Sequence, residues 1–324
     1  MKIRTLGHTG QKISEIGFGA WGIGKSWWGP TDDAESLKAL RKALELGITF
    51  FDTAFVYGDG HSEELIGQVL KETGARPLVA TKCPPKDGGW PADPLTKIQE
   101  AFPAEWIVQC TERSLKKLGV ECLDLQQFHV WTDAWVEADE WKNAILKLKK
   151  QGKIRGFGVS INDLDPDSAL KLVASGAVDT VQVIYNIFEQ SPERKLFPLC
   201  QKMNVGVIVR VPLDEGGLSG TLTPATKFED DDFRARYFGD GRLEETCART
   251  EKLKSLLGPY AATLPELALK FVLAHPAVSV VIPGMRKVKN VEANVRLSDT
   301  PPLPPSVLKT LHEHAWDRTR QPLV

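Results

Sequence analysis

The chain has 324 residues, 42% of them hydrophobic and 26% charged, the proportions of a soluble globular protein with ample material for a core. A formal net charge of -1 excludes a global basic field, so neither nucleic acid nor an anionic membrane is an expected partner, and any phosphate must be met by local groups. Five widely spaced cysteines (Cys83, Cys110, Cys122, Cys200, Cys247) form no CxxC pair and no zinc-ligand spacing, so no metal site is expected and the thiols read as reduced, in a cytoplasmic compartment. The charged start Met1-Lys2-Ile3-Arg4 lacks the apolar stretch of a signal peptide, and no run reaches the roughly 18 apolar residues of a membrane span.

A hairpin comes first: Ile3 to Leu6 and Lys12 to Ile16 read as extended pieces joined by Gly7-His8-Thr9-Gly10. The apolar Ile16-Gly17-Phe18-Gly19 follows, then an aromatic, glycine-rich loop with Trp21, Trp27 and Trp28. From there the pattern alternates. Predicted helices 34–46, 62–72, 104–118, 134–150, 166–175 and 192–203 each lead into a predicted strand, at 48–53, 77–82, 122–129, 154–159, 179–185 and 205–211. Helices 242–257 and 265–274, a strand at 278–282 and a helix from 288 complete the run. Eight strands alternating with helices favour an α/β fold of the (β/α)8 TIM-barrel type over a doubly wound open sheet. Residues 83–103 and 212–241 are too long for simple connections and read as lids or binding loops at the C-terminal rim. The proline-rich Thr300-Pro301-Pro302-Leu303-Pro304-Pro305 is expected to run extended before a short helix near 306–316. With no linker and no internal repeat beyond the βα alternation, residues 1–324 read as a single domain.

In a parallel barrel the residues that end successive strands meet on one rim, where such enzymes keep their chemistry. Those positions hold Asp52, Lys82, His129, then Ser160 and Asn162, then Gln182, Tyr185 and Asn186, then Arg210, with Tyr57 on the loop just past Asp52. A tyrosine with an ordinary pKa of about 10 needs a neighbouring cation to serve as a general acid or base near neutrality. Lys82 supplies the cation, Asp52 charge-balances it, and His129 can donate a hydrogen bond to a carbonyl oxygen. No nucleophile accompanies them. A proton donor aimed at a carbonyl then calls for an external nucleophile, such as a hydride from a nicotinamide.

The segments FDTAFVYGDGHSEELIG (51–67), VATK (79–82), LDLQQFH (123–129), GVSIND (158–163), VQVIYN (181–186) and VIPGMRKVKNVEANV (281–295) resemble, in order, the motifs of the aldo-keto reductase superfamily. The resemblance covers nearly the whole chain, including a hairpin that plugs the barrel floor. It implies NADPH-dependent reduction of a small-molecule carbonyl substrate by the tetrad Asp52, Tyr57, Lys82 and His129. By position it also implies that Ser160, Asn162 and Gln182 hold the nicotinamide carboxamide, and that Gly217, Leu218, Ser219 and Gly220 clamp the pyrophosphate through backbone N–H groups and a hydroxyl. Gly284, Arg286, Lys287, Asn290 and Asn294 fall where the adenosine 2'-phosphate and adenine are bound, and two cations beside a helix start suit a phosphate dianion.

One departure stands out. Arg210 takes the place where many relatives stack an aromatic ring on the nicotinamide, where a guanidinium plane can also stack or meet the cofactor's phosphates; Arg210-Val211-Pro212-Leu213 resembles the branch of bacterial reductases and potassium-channel beta subunits, which implies that Arg210, Pro212 and Leu213, with Trp21, contact the cofactor. That branch keeps a second reading open, an NADP(H)-binding regulatory module with slow or no turnover. GVSIND also spaces its Ser and Asn one residue wider than the commoner GVSN. Trp21, Trp28, Trp90 and Trp131 are candidates to wall a substrate pocket, Cys83 reads as a buried filler, and Glu229-Asp230-Asp231-Asp232 as a solvated face of a lid. The sequence is equally compatible with a monomer and a homo-oligomer.

Overall fold

In the computed structural model, which describes residues 1–25 and 31–318, the sheet is built on period-two alternation. Trp27 and Trp28 lie outside the described residues. Strands β1 (Ile3–Thr5) and β2 (Lys12–Ser14) pair antiparallel as the expected hairpin. They are followed by β3 (Phe18–Gly19), β4 (Phe50–Asp52), β5 (Leu78–Cys83), β6 (Leu123–Phe128), β7 (Ile154–Ser160), β8 (Thr180–Ile184), β9 (Gly206–Arg210) and β10 (Val278–Val281), an eight-stranded sheet in chain order whose neighbours all run parallel. The two outer strands approach each other through parallel bridges, Ile16 to Val281 and Gly19 to Gly284. A Cβ at Gly19 would lie 2.5 Å from the Ile282 carbonyl oxygen, so only glycine admits this approach. The fold is TIM-barrel-like.

The helices are α1 (Asp33–Glu45), α2 (His61–Thr73), α3 (Ile98–Ala101), α4 (Ala104–Leu118), α5 (Asp139–Lys150), α6 (Leu170–Ser175), α7 (Leu196–Met203), α8 (Phe233–Tyr237), α9 (Arg242–Leu253), α10 (Leu264–Ala274), α11 (Val288–Leu297) and α12 (Pro305–His312). In α4 the buried side chains Ile107, Cys110, Thr111, Ser114 and Leu118 recur at three- and four-residue intervals, the stripe a helix needs to lie on a sheet. Three predicted helices are broken, and the one expected at 192–203 is a 3-10 turn, Ser191–Glu193, followed by α7. The one expected at 134–150 is a 3-10 turn, Asp133–Trp135, followed by α5, because Trp135 is buried with its indole donating to Thr96 O and its carbonyl accepting from the Trp141 indole. The one expected at 166–175 opens as 3-10 and becomes α-helical only at α6, where the Asp133 carboxylate accepts from the Lys171 and Leu172 amides, an N-terminal cap supplied by another loop. The long connections also carry structure of their own, α3 in the first and a 3-10 turn plus α8 in the second.

Alternation sorts each strand into an outer face under the helices and an inner face in layers. Leu6 and Ile13 of the hairpin pack with Phe50, Leu78, Ala80, Leu125, Ile208, Val280 and Ile282 in one apolar cluster, the floor of the barrel-like interior. Burial of each large side chain there contributes on the order of 2 kcal/mol. Arg4 fastens the hairpin: its guanidinium donates to Glu15, Val278 O and Leu273 O at 2.7–3.0 Å.

Candidate active site

One step up each strand from the floor, the inward positions turn polar. Phe50 is followed by Asp52, Ala80 by Lys82, Leu125 by Gln127, Thr180 by Gln182 and Ile208 by Arg210. Lys82 Nζ, fully buried, donates to Asp52 Oδ1 at 2.5 Å, to Thr53 O at 2.8 Å and to Tyr57 OH at 3.3 Å, which uses all three ammonium protons. The second oxygen of Asp52 accepts from Gln182 at 2.8 Å and from Gln127 at 3.3 Å.

Burial would lower the Lys82 pKa, but the charges and hydrogen bonds of Asp52 and Tyr57 outweigh it and the group sits above its ordinary value. Tyr57 corrects an expectation. Lys82 does pull its pKa down, yet burial outweighs the cation and the phenol ends above 10.0. His129 moves the other way: burial, then the charges of Lys82 and Arg210, hold it well below 6.5, so the imidazole is neutral. Its Nδ1 has no hydrogen-bond partner among the described residues. The ring meets Trp90 edge-on at 4.6 Å and Tyr57 at 5.8 Å.

Tyr57 is held by backbone contact. Gly58 takes φ +66°, and a Cβ there would fall 1.8 Å from Gly24 O, while a Cβ at Gly24 would fall 2.8 Å from the Tyr57 carbonyl carbon. Two glycines thus let the loop of residues 21–25 lie directly on the tyrosine, with Trp21 stacked over it at 6.1 Å. Ser62, at the start of α2, bonds both sides of this rim, accepting from Thr53 Oγ1 and donating to Ala20 O.

A cavity of about 760 Å³ opens above these groups. Asp52, Tyr57, His129, Ser160 and Gln182 line it, as do Trp21, stacked on Tyr57, and Trp90, edge-on to His129. Arg210, Pro212, Leu213, Gly284, Arg286 and Asn290 line the rest. Other expected residues stand elsewhere. Asn162 is not in the wall: its amide is spent on Ala92, accepting from the amide and donating to the carbonyl, so it braces the loop after β5. Gly217 and Leu218 are buried and, like the more exposed Ser219 and Gly220, are not in the cavity wall, Lys287 is exposed, and Asn294 is buried in α11. Tyr185 is on the outward face of its strand, donating to Glu193, and Asn186 donates to Val211 O. Trp131 is enclosed in the core against Trp141 at 5.3 Å, and Asp232, buried, caps α8 rather than facing solvent. Cys83 is buried, and burial pushes its thiol up.

Residues outside the sequence-based set also belong to the site. Gln127 is two positions before His129 on β6, so period two alone could have placed it on the same face. Asp163 lines the cavity and pairs with Arg210 at 2.5 Å, and Arg210 donates as well to Ile161 O. Glu215, pushed by burial to about 8, Arg236 and Phe233 come from the long connection after β9, where nothing in the sequence fixes direction. Among the described residues no cluster of His, Cys, Asp and Glu could hold a metal ion, and no helix is long and apolar enough to cross a membrane.

An eight-stranded parallel TIM-barrel-like fold with Asp, Tyr, Lys and His gathered at the strand ends defines a class of oxidoreductase, of the fold typical of NADPH-dependent carbonyl reductases. Residues 15–315 match the aldo/keto reductase family, and the chain belongs to that family. It is 34% identical over 298 residues to aldo-keto reductase YhdN of Bacillus subtilis, covering 90% of this chain and 87% of the relative. Among solved structures it is similar to the glycerol dehydrogenase AKR11B4 of Gluconobacter oxydans (28% identity, TM-score 0.79, 96% of this chain and 94% of the other). It is also similar to the holo form of the aldo-keto reductase AKR11C1 of Bacillus halodurans (27%, TM-score 0.77, 99% and 100%). These comparisons carry the superfamily as a whole and do not single out the potassium-channel beta-subunit branch.

Proposed function

We propose that the protein reduces aldehydes or ketones to alcohols with NADPH, on a closed (β/α)8 barrel, with Tyr57 as the general acid. The observation that carries this reading is the single buried run of hydrogen bonds Gln182–Asp52–Lys82–Tyr57 ending beneath an open cavity. The cavity's residues fit a dinucleotide phosphate: its volume of about 760 Å³ falls in the range of small-molecule sites, Arg210, Arg236 and Arg286 line it, and the Arg210 Nε is buried without a partner among the described residues.

When bound, the nicotinamide supplies the hydride that reduces the carbonyl carbon. Tyr57, kept protonated by burial, gives its proton to the carbonyl oxygen. Lys82, 3.3 Å away, stabilises the phenolate left behind, and Asp52 keeps the lysine charged and oriented. His129, neutral, presents an N–H to the same oxygen. Ser160 and Gln182 would hold the carboxamide, and Leu213 and Gly216, in the turn that continues through Gly217 to Gly220, the pyrophosphate. Arg286, with Asn290, would meet the adenosine 2'-phosphate and favour NADPH over NADH.

The test is steady-state NADPH oxidation with a panel of small aldehydes. Turnover with at least some of them is expected. Tight NADPH binding with negligible turnover on every aldehyde would instead support a cofactor-bound regulatory module.

A further inference from the structure

Three buried side chains that the proposed reduction does not use meet in the loop after β9. Asp214 Oδ1 accepts from Tyr237 OH at 2.7 Å and from Arg318 Nη1 at 2.6 Å, and Arg318 Nη1 also donates to Tyr237 OH at 3.0 Å. All three are at most 2% exposed. They come from three places: the turn itself, the lid helix α8 and the C-terminal segment beyond α12. A buried carboxylate–guanidinium pair is costly to desolvate, and removing one member strands the other's charge, so such a pair fixes the elements that carry it.

What it fixes is strained. Val211, Asp214 and Glu215 have φ near +50° (53°, 51° and 52°), and Gly216 reaches +100°. Non-glycine residues in that region are uncommon, a β-branched valine most of all, and they persist only where the surroundings over-determine them. Two more contacts bear on the same turn: Thr250 Oγ1 donates to Gly217 O at 3.1 Å, and Gly217 packs so tightly on Asp214 that a Cβ would lie 2.7 Å from Asp214 Oδ2. Of the strained residues, Val211, Glu215 and Gly216 line the cavity, as does Leu213 between them, while Asp214 is buried beneath. The far end is anchored too, since the Trp316 amide donates to Phe188 O at 2.7 Å.

We propose that Arg318 is a positioning residue for dinucleotide binding. Through Asp214 it locks the strained turn in the shape that presents Leu213 and Gly216 to the cofactor's phosphates, so the C-terminal segment sets NADPH affinity without touching the reacting atoms. The proposal rests on the NADPH reading above, and the experiment separates the two.

NADPH binding is measured by fluorescence titration on the full-length chain, alongside kcat at saturating NADPH. If the unaltered protein does not bind NADPH, the underlying reading fails and this one with it. Given binding, Arg318→Met is expected to raise the NADPH Kd about ten-fold or more while kcat falls by no more than about two-fold, a split that a general loss of structure would not give. Arg318→Lys, which keeps a cation for Asp214, is expected to restore most of the affinity. A smaller shift in Kd, a kcat that falls in step with it, or no rescue by lysine overturns the proposal. Should Arg318→Met not fold, Tyr237→Phe removes two hydrogen bonds, the one it donates to Asp214 and the one it accepts from Arg318, and strands no charge. It is expected to raise Kd about three-fold, and an unchanged Kd overturns the proposal.

Discussion

Tyr57 and His129 are both shifted by burial, in opposite directions, and each shift favours the neutral form of the group. The phenol stays protonated because its pKa is raised above 10.0, and the imidazole stays neutral because its pKa is held well below 6.5. Neither group changes charge between about pH 7 and pH 9, so kcat for carbonyl reduction is expected to be level across that span, with no limb near 6.5. A pH–rate profile at saturating substrate and NADPH checks this, and a limb at the ordinary histidine value would show that His129 titrates as if exposed. The same depressed value fixes a sign for stability. The unfolded chain binds a proton below 6.5 that the folded one refuses, so His129 lowers conformational stability as the pH falls through that value. Much at this scale was legible in the sequence, since Asp52, Lys82, His129 and Gln182 share inward parity at the ends of β4, β5, β6 and β8. The balance at Tyr57 was not. A cation's pull can be read from residue types, whereas the opposing desolvation depends on Trp21 and the 21–25 loop lying on the ring. Asn162 shows the same limit, because nothing in GVSIND says that Ala92, seventy positions earlier, claims its amide.

At the scale of elements, α2 does two tasks. Its first turn carries Ser62, which ties Thr53 to Ala20, and Glu63, whose buried carboxylate accepts from Thr81 Oγ1 at 2.5 Å, next to Lys82. Its middle must then lie against the end of α4, and Gly67 permits this: a Cβ there would be 2.6 Å from Leu118 O and 2.9 Å from Lys117 O. Backbone cannot yield as a flexible side chain does, so Gly67→Ala is expected to destabilise the fold by about 1–3 kcal/mol despite alanine's better helix propensity. Denaturant unfolding of the variant measures it, and an unchanged or raised midpoint would mean that α2 slides freely. Hydrophobic periodicity revealed the existence and order of the helices but missed the breaks at Asp133–Trp135 and Pro166–Ala169. Those breaks come from a buried indole and a carboxylate on another loop, contacts that periodicity does not contain.

Across the whole molecule, the hairpin floor and the candidate site sit at opposite ends of the strands. The hairpin covers the floor, with Arg4 tied to Glu15, Val278 and Leu273 and with Glu15 accepting from Ser298 Oγ as well. Arg4→Ala strands Glu15, only 2% exposed, and is expected to cost about 2–3 kcal/mol in unfolding free energy while NADPH affinity and kcat stay within about two-fold. Equal losses in stability and affinity would show that floor and rim are coupled. The βα alternation made this polarity readable from the sequence, since floor and rim occupy opposite ends of every strand; the C-terminal segment's reach to Asp214 was not, because Arg318 lies more than a hundred residues from its partner. The central claim, that Tyr57 delivers the proton, is tested most directly by comparing Tyr57→Phe with the unaltered protein in NADPH-dependent reduction of the same aldehyde. A kcat lower by about 10²-fold or more, with the NADPH Kd nearly unchanged, is expected. Full turnover by the phenylalanine variant would contradict it.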